Sequence, residues 1–326
     1  MKRGAPTLRR RPSRGTVRHR GRRPLPPVSV VPTIITLGNL VAGFAAIHYA
    51  SKPLDASGPW GWTSLTVAGA LIFAGMFCDA VDGSVARLTR STSDLGAQLD
   101  SLADLVTFGV APAFMMLRLV SHMLAGDGAG GAIVGPETDS ELAKVLWAVA
   151  AAYVVATALR LARFNVETPS AAASDHMVFR GLPSPGAAGA IASLILLHQH
   201  LLGGPDPIDG DPGPLSKAFA FAIPGVTLAC AAGMVSSLPY VHVMNRYVAG
   251  GRSFAYVVRI VLPLFPLMLW FQETMAVGFT AYALSAPLRR LRPRWRRGGG
   301  RTGHPPDEPA PEAASTPPDG PDTLRP

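Results

Sequence analysis

Apolar residues in this chain come in long runs, which polar and charged stretches separate. Eight runs approach the roughly 20 helical residues needed to cross a hydrocarbon core of about 30 Å. They lie at residues 29–50, 61–82, 95–120, 143–163, 185–203, 216–237, 254–271 and 273–290. The pattern predicts an all-α polytopic membrane helical bundle with about eight transmembrane helices. Only Gln272 and Glu273 separate the last two runs, so a re-entrant hairpin or one long tilted helix is the alternative there.

Composition agrees with a membrane protein. Hydrophobic residues make up 48% of the 326 residues and charged residues 16%, and the mean hydropathy is +0.26. The two cysteines, Cys78 and Cys230, form neither a disulfide framework nor a metal-ligand spacing. The first 25 residues lack the apolar core of a signal peptide, so we expect the first apolar run to remain as a membrane anchor.

The distribution of charge predicts the orientation in the membrane, because Lys and Arg accumulate in short cytoplasmic loops. With eight spans, both termini lie on the same side as the basic loops. These loops contain Arg87, Arg90, Arg163, Arg180, Arg246 and Arg252. The acidic connections 121–142 and 204–215 lie on the opposite side. Both termini are therefore predicted to be cytoplasmic.

We expect both ends of the chain to be solvated tails that flank a membrane domain at residues 29–290. Residues 1–28 are basic, and residues 291–326 are first basic and then rich in Pro. Such compositions are typical of disordered segments that help to fix topology. Basic tails also attract anionic lipid headgroups. No nucleic-acid-binding module accompanies the arginines, so no nucleic-acid partner is expected.

Four aspartates are candidates for a functional site, because a carboxylate inside a membrane segment costs free energy and is usually functional. Asp79 and Asp82 are three residues apart, and Asp100 and Asp104 are four apart. Each pair shares a helix face, so two helix ends can present four carboxylates to one volume at the cytoplasmic side. Such a cluster needs cations, and hard divalent ions such as Mg2+ or Mn2+ suit oxygen ligands. Two ions about 4 Å apart would serve phosphoryl-type transfer.

The residues between the acids fit a substrate that contains phosphate. Gly83 and Gly96 allow a phosphate or nucleotide to approach the backbone closely. Arg87 offers a planar fork to phosphate oxygens, although it could serve only to fix topology.

The spacing D-x2-D-G-x2-A-R-x8-G-x3-D-x3-D resembles the signature of the CDP-alcohol phosphotransferases. It is filled by Asp79, Asp82, Gly83, Ala86, Arg87, Gly96, Asp100 and Asp104. The resemblance implies transfer of a phosphatidyl group from a CDP-linked lipid to an alcohol, with CMP leaving, in a protein that is usually a homodimer. By position it implies four metal-binding aspartates, of which Asp104 is also the general base. It further implies a CDP site at Asp79, Gly83, Ala86 and Arg87, to which Gly96 is added.

The acceptor alcohol depends on residues outside the signature. "PTIITLGNLVAGFAAI", "DSLADLVTFGVAPAF", and "RLARFNV" followed by "FRGLPSPGAAG" resemble the phosphatidylserine synthase branch of the family. That resemblance implies CDP-diacylglycerol and L-serine as substrates. One departure is Thr33, because an Asn is common at that position in the branch.

Serine brings a carboxylate, so its site should contain a buried cation, and arginine suits that task. Arg160, Arg163 and Arg180 are the candidates, although each could be an ordinary membrane-edge residue. Asn39 is polar and lies inside the first span. It could contact the acceptor or the lipid headgroup, or it could hydrogen-bond within the bundle.

Two other functions stay open. The same chemistry could use glycerol 3-phosphate or an inositol phosphate, which would favour extra basic residues near the aspartates. A cation transporter could use the carboxylates as an ion site, which would favour acids near the middle of spans. His48, His198 and His200 lie near the outer ends of their spans and are expected to be membrane-interface residues.

Overall fold

The computed structural model describes residues 30–54, 61–89, 94–125, 133–171, 181–202, 213–238, 240, 266–267 and 269–291. No β-strand occurs among them. The described residues include eight α-helices: α1 (Val30–Ser51), α2 (Ser64–Thr89), α3 (Asp94–Asp104), α4 (Ala111–Ala125), α5 (Glu141–Ala171), α6 (Ser184–Leu202), α7 (Pro214–Val235) and α8 (Phe271–Leu291). A π-helix, Leu105–Val110, joins α3 to α4.

Contacts divide the chain into two compact units, Met1–Arg289 and Arg290–Pro326. The site described below lies in the first unit. Of the second unit, only the last two residues of α8 are described. The predicted boundaries of the two tails lie outside or at the edge of the described residues, and they stay predictions.

Six stretches of helix in the described part of the chain are long and apolar enough to cross a membrane. They are Val31–Ser51, Ser64–Val85, Leu95–Leu124, Glu141–Val166, Ser184–Leu202 and Pro214–Val235. These stretches coincide with the first six predicted runs, which confirms the class of polytopic helical membrane protein. The seventh run, 254–271, lies mostly outside the described residues. The eighth run forms α8, which is not among the six, so the count of eight spans stays a prediction.

Close helix packing brings α1 against α2 and against the π-helix. A Cβ atom at Gly75 of α2 would lie 2.8 Å from Oδ1 of Asn39, and one at Gly43 of α1 would lie 2.8 Å from the Cα of Thr107. Real Cβ atoms need more room than this, so only glycine allows these backbones to approach so closely. The approach puts α1 beside the helices that carry the four aspartates.

The π-helix has a local cause in the sequence. Pro112 lacks a backbone N–H and cannot bond the carbonyl oxygen of Phe108, four residues earlier. The hydroxyl of Tyr153 donates to that oxygen instead, at 2.9 Å. The N–H of Ala111 reaches back five residues to Val106, which is the π pattern. The predicted third span is therefore one continuous helix with a widened turn directly after Asp104.

A buried polar cluster lies where the beginnings of α2 and α7 meet the end of α6. His198 is fully buried, and its Nε2 lies 3.0 Å from Oγ of Ser216. Gln199 contacts the His198 ring and accepts a hydrogen bond from Thr63 at 2.9 Å. The expectation that His198 is a membrane-interface residue is therefore wrong, because its ring supplies a hydrogen bond inside the bundle. His48 and His200 are exposed.

Candidate active site

Three of the four aspartates converge on one point. One carboxylate oxygen from each of Asp79, Asp100 and Asp104 lies within 4.8 Å of the others. Helix α2 supplies Asp79, and α3 supplies the other two. Asp79 and Asp100 are half-buried, and Asp104 is 7% exposed. Three carboxylates this close in an apolar bundle fit a hard divalent cation, because oxygen ligands and a compensating charge are what such a cluster needs.

Asp82 is held differently from the other three. It is 7% exposed, and its Oδ2 accepts a hydrogen bond from the hydroxyl of Thr36 on α1. It remains close enough to interact electrostatically with Asp79 and Asp100. The structure thus places Asp82 beside the cluster with one oxygen directed at α1, and its predicted part in binding metal stays a prediction.

Helix α1 reaches the cluster through a second side chain. Asn39 is fully buried, and its Nδ2 donates to Oδ1 of Asp104 at 3.0 Å. The sequence indicated that Asn39 needs a partner inside the bundle, and Asp104 is that partner. Thr36 is not among the residues predicted from the sequence. The signal was available, because Thr36 and Asn39 are three residues apart and share a face of α1.

The other residues predicted to bind CDP lie near the acids on α2 and α3. A Cβ atom at Gly83 would meet no atom within 4 Å among the residues that the structure describes, so space is available beside this backbone. Gly96 is half-buried, one turn before Asp100 on the same face. Ala86 and Arg87 belong to α2, but their side chains lie outside the described part of the chain.

Arg160 of α5 lies next to the acidic cluster. Its guanidinium interacts electrostatically with Asp104 and Asp79, and its Nη1 donates to Oγ of Ser184 at 2.7 Å. Ser184 is fully buried and begins α6. The side chain is therefore directed into the protein and held by a hydrogen bond, which is unlike an arginine that extends along the membrane edge.

The turn before α6 explains why Ser184 faces Arg160. Gly181 has φ +92°, a conformation that side chains other than glycine rarely adopt. A Cβ atom there would also lie 2.5 Å from the carbonyl oxygen of Met234. Backbone bonds from Gly181 to Leu238 at 2.9 Å and from Leu182 to Gly233 at 3.0 Å fix this turn against the end of α7. The glycine thereby sets the point at which α6 begins.

The remaining acceptor candidates are less defined. Arg163 is half-buried in α5, one turn after Arg160. Arg180 lies outside the described residues. Asn165, which the sequence analysis did not single out, donates from Nδ2 to Oγ of Ser101 at 2.8 Å. This bond ties α5 to α3 beside Asp100, so part of the "RLARFN" stretch supports the helix that carries two of the acids.

Comparison with known proteins relates the part of the chain that contains this site to a known family. A sequence profile described as CDP-alcohol phosphatidyltransferase matches residues 29–233, which contain all four aspartates. Curated relatives described as CDP-diacylglycerol--serine O-phosphatidyltransferase are also similar to the chain. One from Helicobacter pylori strain J99 is 34% identical over 183 residues, 56% of this chain and 64% of the relative.

Relatives with the same description from two further organisms are also similar to the chain. The one from Bacillus subtilis strain 168 is 31% identical over 175 residues, 54% of this chain and 80% of the relative. The one from Mycobacterium tuberculosis strain H37Rv is 32% identical over 181 residues, 55% of this chain and 52% of the relative. The chain thus spans less than two thirds of the length of the Helicobacter and Mycobacterium relatives.

Proposed function

Because the chain belongs to the CDP-alcohol phosphatidyltransferase family, we propose that it transfers a phosphatidyl group from CDP-diacylglycerol to L-serine. The products are phosphatidylserine and CMP. The observation that carries the proposal is the convergence of Asp79, Asp100 and Asp104 to within 4.8 Å inside a membrane bundle, with Arg160 beside them. The descriptions of the relatives support serine as the acceptor.

In this proposal Asp104 is the general base. Asn39 binds one of its oxygens, which leaves the other oxygen to accept the proton of the serine hydroxyl. The serine oxygen then forms a bond to the phosphorus that carries the diacylglycerol, and the bond from that phosphorus to the oxygen of CMP breaks. Asp79, Asp100 and Asp104, with Asp82 beside them, would hold Mg2+ or Mn2+, and we propose two ions. When bound, such cations neutralise charge that develops on the phosphate oxygens.

Arg160 is the proposed contact for the serine carboxylate. An arginine fork binds a carboxylate through two parallel hydrogen bonds. Ser184 already fixes the orientation of the guanidinium, so less side-chain entropy is lost when the acceptor binds. Because Arg160 interacts with Asp104, a serine whose carboxylate is bound by Arg160 would lie near the base. Arg163 and Arg180 are proposed only as further contacts for the acceptor or the lipid phosphate.

An apolar cavity supports a lipid donor. It has a volume of about 600 Å³ and lies between α7 and α8, with walls that include Gly225, Cys230 and Leu284. Tyr240 lines the cavity and packs against Tyr282, with ring centroids 5.9 Å apart. Tyr282 in turn interacts with Arg160. We propose that the cavity takes part of an acyl chain while the headgroup lies at the aspartates.

The orientation and the partners complete the proposal. The basic loops predict that the termini and the site face the cytoplasm, where serine and the cytidine end would arrive. The basic tails would bind anionic lipid headgroups, at about 1 kcal/mol for each Lys or Arg near the surface. The expectation of a homodimer rests on the family resemblance.

The decisive experiment supplies one acceptor at a time. Membranes that contain the full chain are incubated with CDP-diacylglycerol, Mn2+ and labelled L-serine, glycerol 3-phosphate or inositol phosphate, and both CMP and labelled lipid are measured. We expect CMP and lipid product with serine and little with the other two. Product with glycerol 3-phosphate and none with serine would refute the serine assignment and keep the reaction class. No CMP with any acceptor would contradict the reaction class.

A further inference from the structure

We infer that Thr36 and Asn39 of α1 are positioning residues that orient one carboxylate of each acidic pair. Helix α1 has no acidic or basic residue before its last turn, yet it contacts Asp82 through Thr36 and Asp104 through Asn39. The inference rests on the proposed metal site and assigns to that site two residues that act through its carboxylates.

The two contacts form a matched pair. Thr36 is 4% exposed and Asn39 is 0% exposed, and one helical turn separates them on the face of α1 that meets α2 and α3. Asn39 donates to Asp104 on α3, and the hydroxyl of Thr36, which also lies 3.0 Å from the carbonyl oxygen of Pro32, contacts Asp82 on α2; each of these aspartates is the second of its pair. A carboxylate that accepts such a bond cannot rotate freely, so its other oxygen keeps a defined direction.

The position of Asn39 is itself fixed by its neighbours. The hydroxyl of Thr107 in the π-helix donates to the carbonyl oxygen of Asn39 at 2.9 Å. The side chain lies against Gly75, where a Cβ atom would come 2.8 Å from its Oδ1. With Oδ1 toward α2, the amide Nδ2 must face Asp104. This is the arrangement that a carboxylate can accept, since the reverse would bring two oxygens together.

An unsatisfied atom shows that this arrangement has a cost. Oδ1 of Asn39 is buried and has no hydrogen-bond partner among the residues that the structure describes. A buried polar atom without a partner costs roughly 1–3 kcal/mol, and an apolar residue would avoid that cost. Asn39 therefore contributes through its donor, which is directed at Asp104.

The consequence is a dependence of metal affinity on α1. Hydrogen bonds that orient metal-binding side chains typically change metal affinity or activity by about 10- to 100-fold when they are removed. Thr36→Val and Asn39→Leu remove one donor each while keeping similar volumes. We expect each variant to bind Mn2+ about 10- to 100-fold more weakly.

The experiment uses the purified full chain in detergent and measures free Mn2+ by electron paramagnetic resonance, without lipid or serine. Thr227→Val is the matched control, because Thr227 is also fully buried and, among the described residues, donates only to the carbonyl of Ile223, four residues earlier in α7. Thr36→Ser keeps the hydroxyl and should bind Mn2+ within about threefold of the wild type. Only protein that elutes as a single peak with wild-type helicity is titrated. In a parallel assay, excess Mn2+ should restore much of the turnover that Thr36→Val loses.

Three outcomes decide between the readings. Weaker Mn2+ binding in Thr36→Val and Asn39→Leu, with Thr227→Val unchanged, supports the inference. Unchanged Mn2+ affinity in both variants overturns it, as does an equal loss in Thr227→Val or Thr36→Ser, which would indicate a general packing defect. If the wild type binds Mn2+ but forms no lipid product with serine, the proposed function fails while the positioning inference stands.

Discussion

Arg160 and Ser184 belong to separate stretches, "RLARFN" and "GLPSP", that meet beside the aspartates. Their hydrogen bond, at 2.7 Å, holds the guanidinium of Arg160 inside the protein and near Asp104, so that this side chain does not extend to the membrane edge. The left-handed Gly181 and its close contact with α7 set the position of Ser184. At the scale of single residues, the proposed acceptor site therefore depends on the start of α6 as much as on α5.

Arg160→Lys tests this assignment. Lysine keeps the charge beside the aspartates but cannot form two parallel hydrogen bonds to a carboxylate. Loss of a charge-assisted hydrogen bond, about 1.5–3 kcal/mol, should raise the KM for serine by about 10- to 100-fold. The KM for CDP-diacylglycerol should change little. Steady-state kinetics with each substrate varied in turn measure the difference, with exposed Arg289→Lys as the control. An unchanged KM for serine would show that Arg160 does not contact the acceptor.

Asp104→Asn tests the proposed base. The amide keeps the size of the side chain but cannot accept the proton from serine, so turnover should fall by about 100-fold or more. Binding of CDP-diacylglycerol should remain largely intact. Product formation and equilibrium binding of the labelled lipid are measured on the same preparation, with the exposed Asp139→Asn as the control. Near-normal turnover of Asp104→Asn would remove Asp104 from the role of base.

At the scale of elements, the π-helix between α3 and α4 connects the site to the core. Pro112 leaves the carbonyl of Phe108 without its helical partner, and Tyr153 of α5 supplies the missing hydrogen bond. The widened turn also brings Thr107 to the backbone of Asn39. Helices α1, α3 and α5 are thus tied together directly beside Asp104.

Tyr153→Phe should therefore destabilise the protein without changing its shape. The substitution removes the hydroxyl that donates to the buried carbonyl oxygen of Phe108, at a cost of roughly 1–3 kcal/mol. Thermal unfolding in detergent, followed by circular dichroism, should show a lower midpoint than the wild type. Tyr49→Phe is the control, since Tyr49 lies at the other end of α1 and is only half-buried. Equal midpoints for the two variants would mean that the hydroxyl of Tyr153 does not support the π-helix.

At the scale of the whole molecule, the order of the six apolar stretches along the chain determines which helix ends lie on the same side of the membrane. The end of α2 and the start of α3 lie at the same end of the bundle as the end of α5 and the start of α6, and residues 133–140 lie at the opposite end. Exposed Glu137 and Asp139 mark the acidic side. The proposed site lies near the end of α2, where the sequence contains Arg87 and Arg90, and the positive-inside rule predicts that such basic residues are cytoplasmic.

Cysteine labelling measures this orientation. Cys78 and Cys230 are free and are first replaced by Ala in a variant whose activity is checked. Thr138→Cys should then react with a membrane-impermeant maleimide in intact cells, and Ser91→Cys should react only in inverted vesicles. The reverse pattern would place the active site on the outer side and contradict the predicted topology.

The sequence by itself determined the helical membrane class, the first six spans and the four aspartates, because long apolar runs and costly carboxylates leave strong local signals. It also pointed to Arg160 and Asn39 as candidates, without their partners. Only the tertiary structure decided that three aspartates converge while Asp82 turns to Thr36, that Asn39 binds Asp104, and that His198 is buried. These contacts join residues far apart in the chain, through approaches that Gly43, Gly75 and Gly181 permit. Spacing along one helix fixes which side chains share a face, but the packing of helices against one another selects which faces meet.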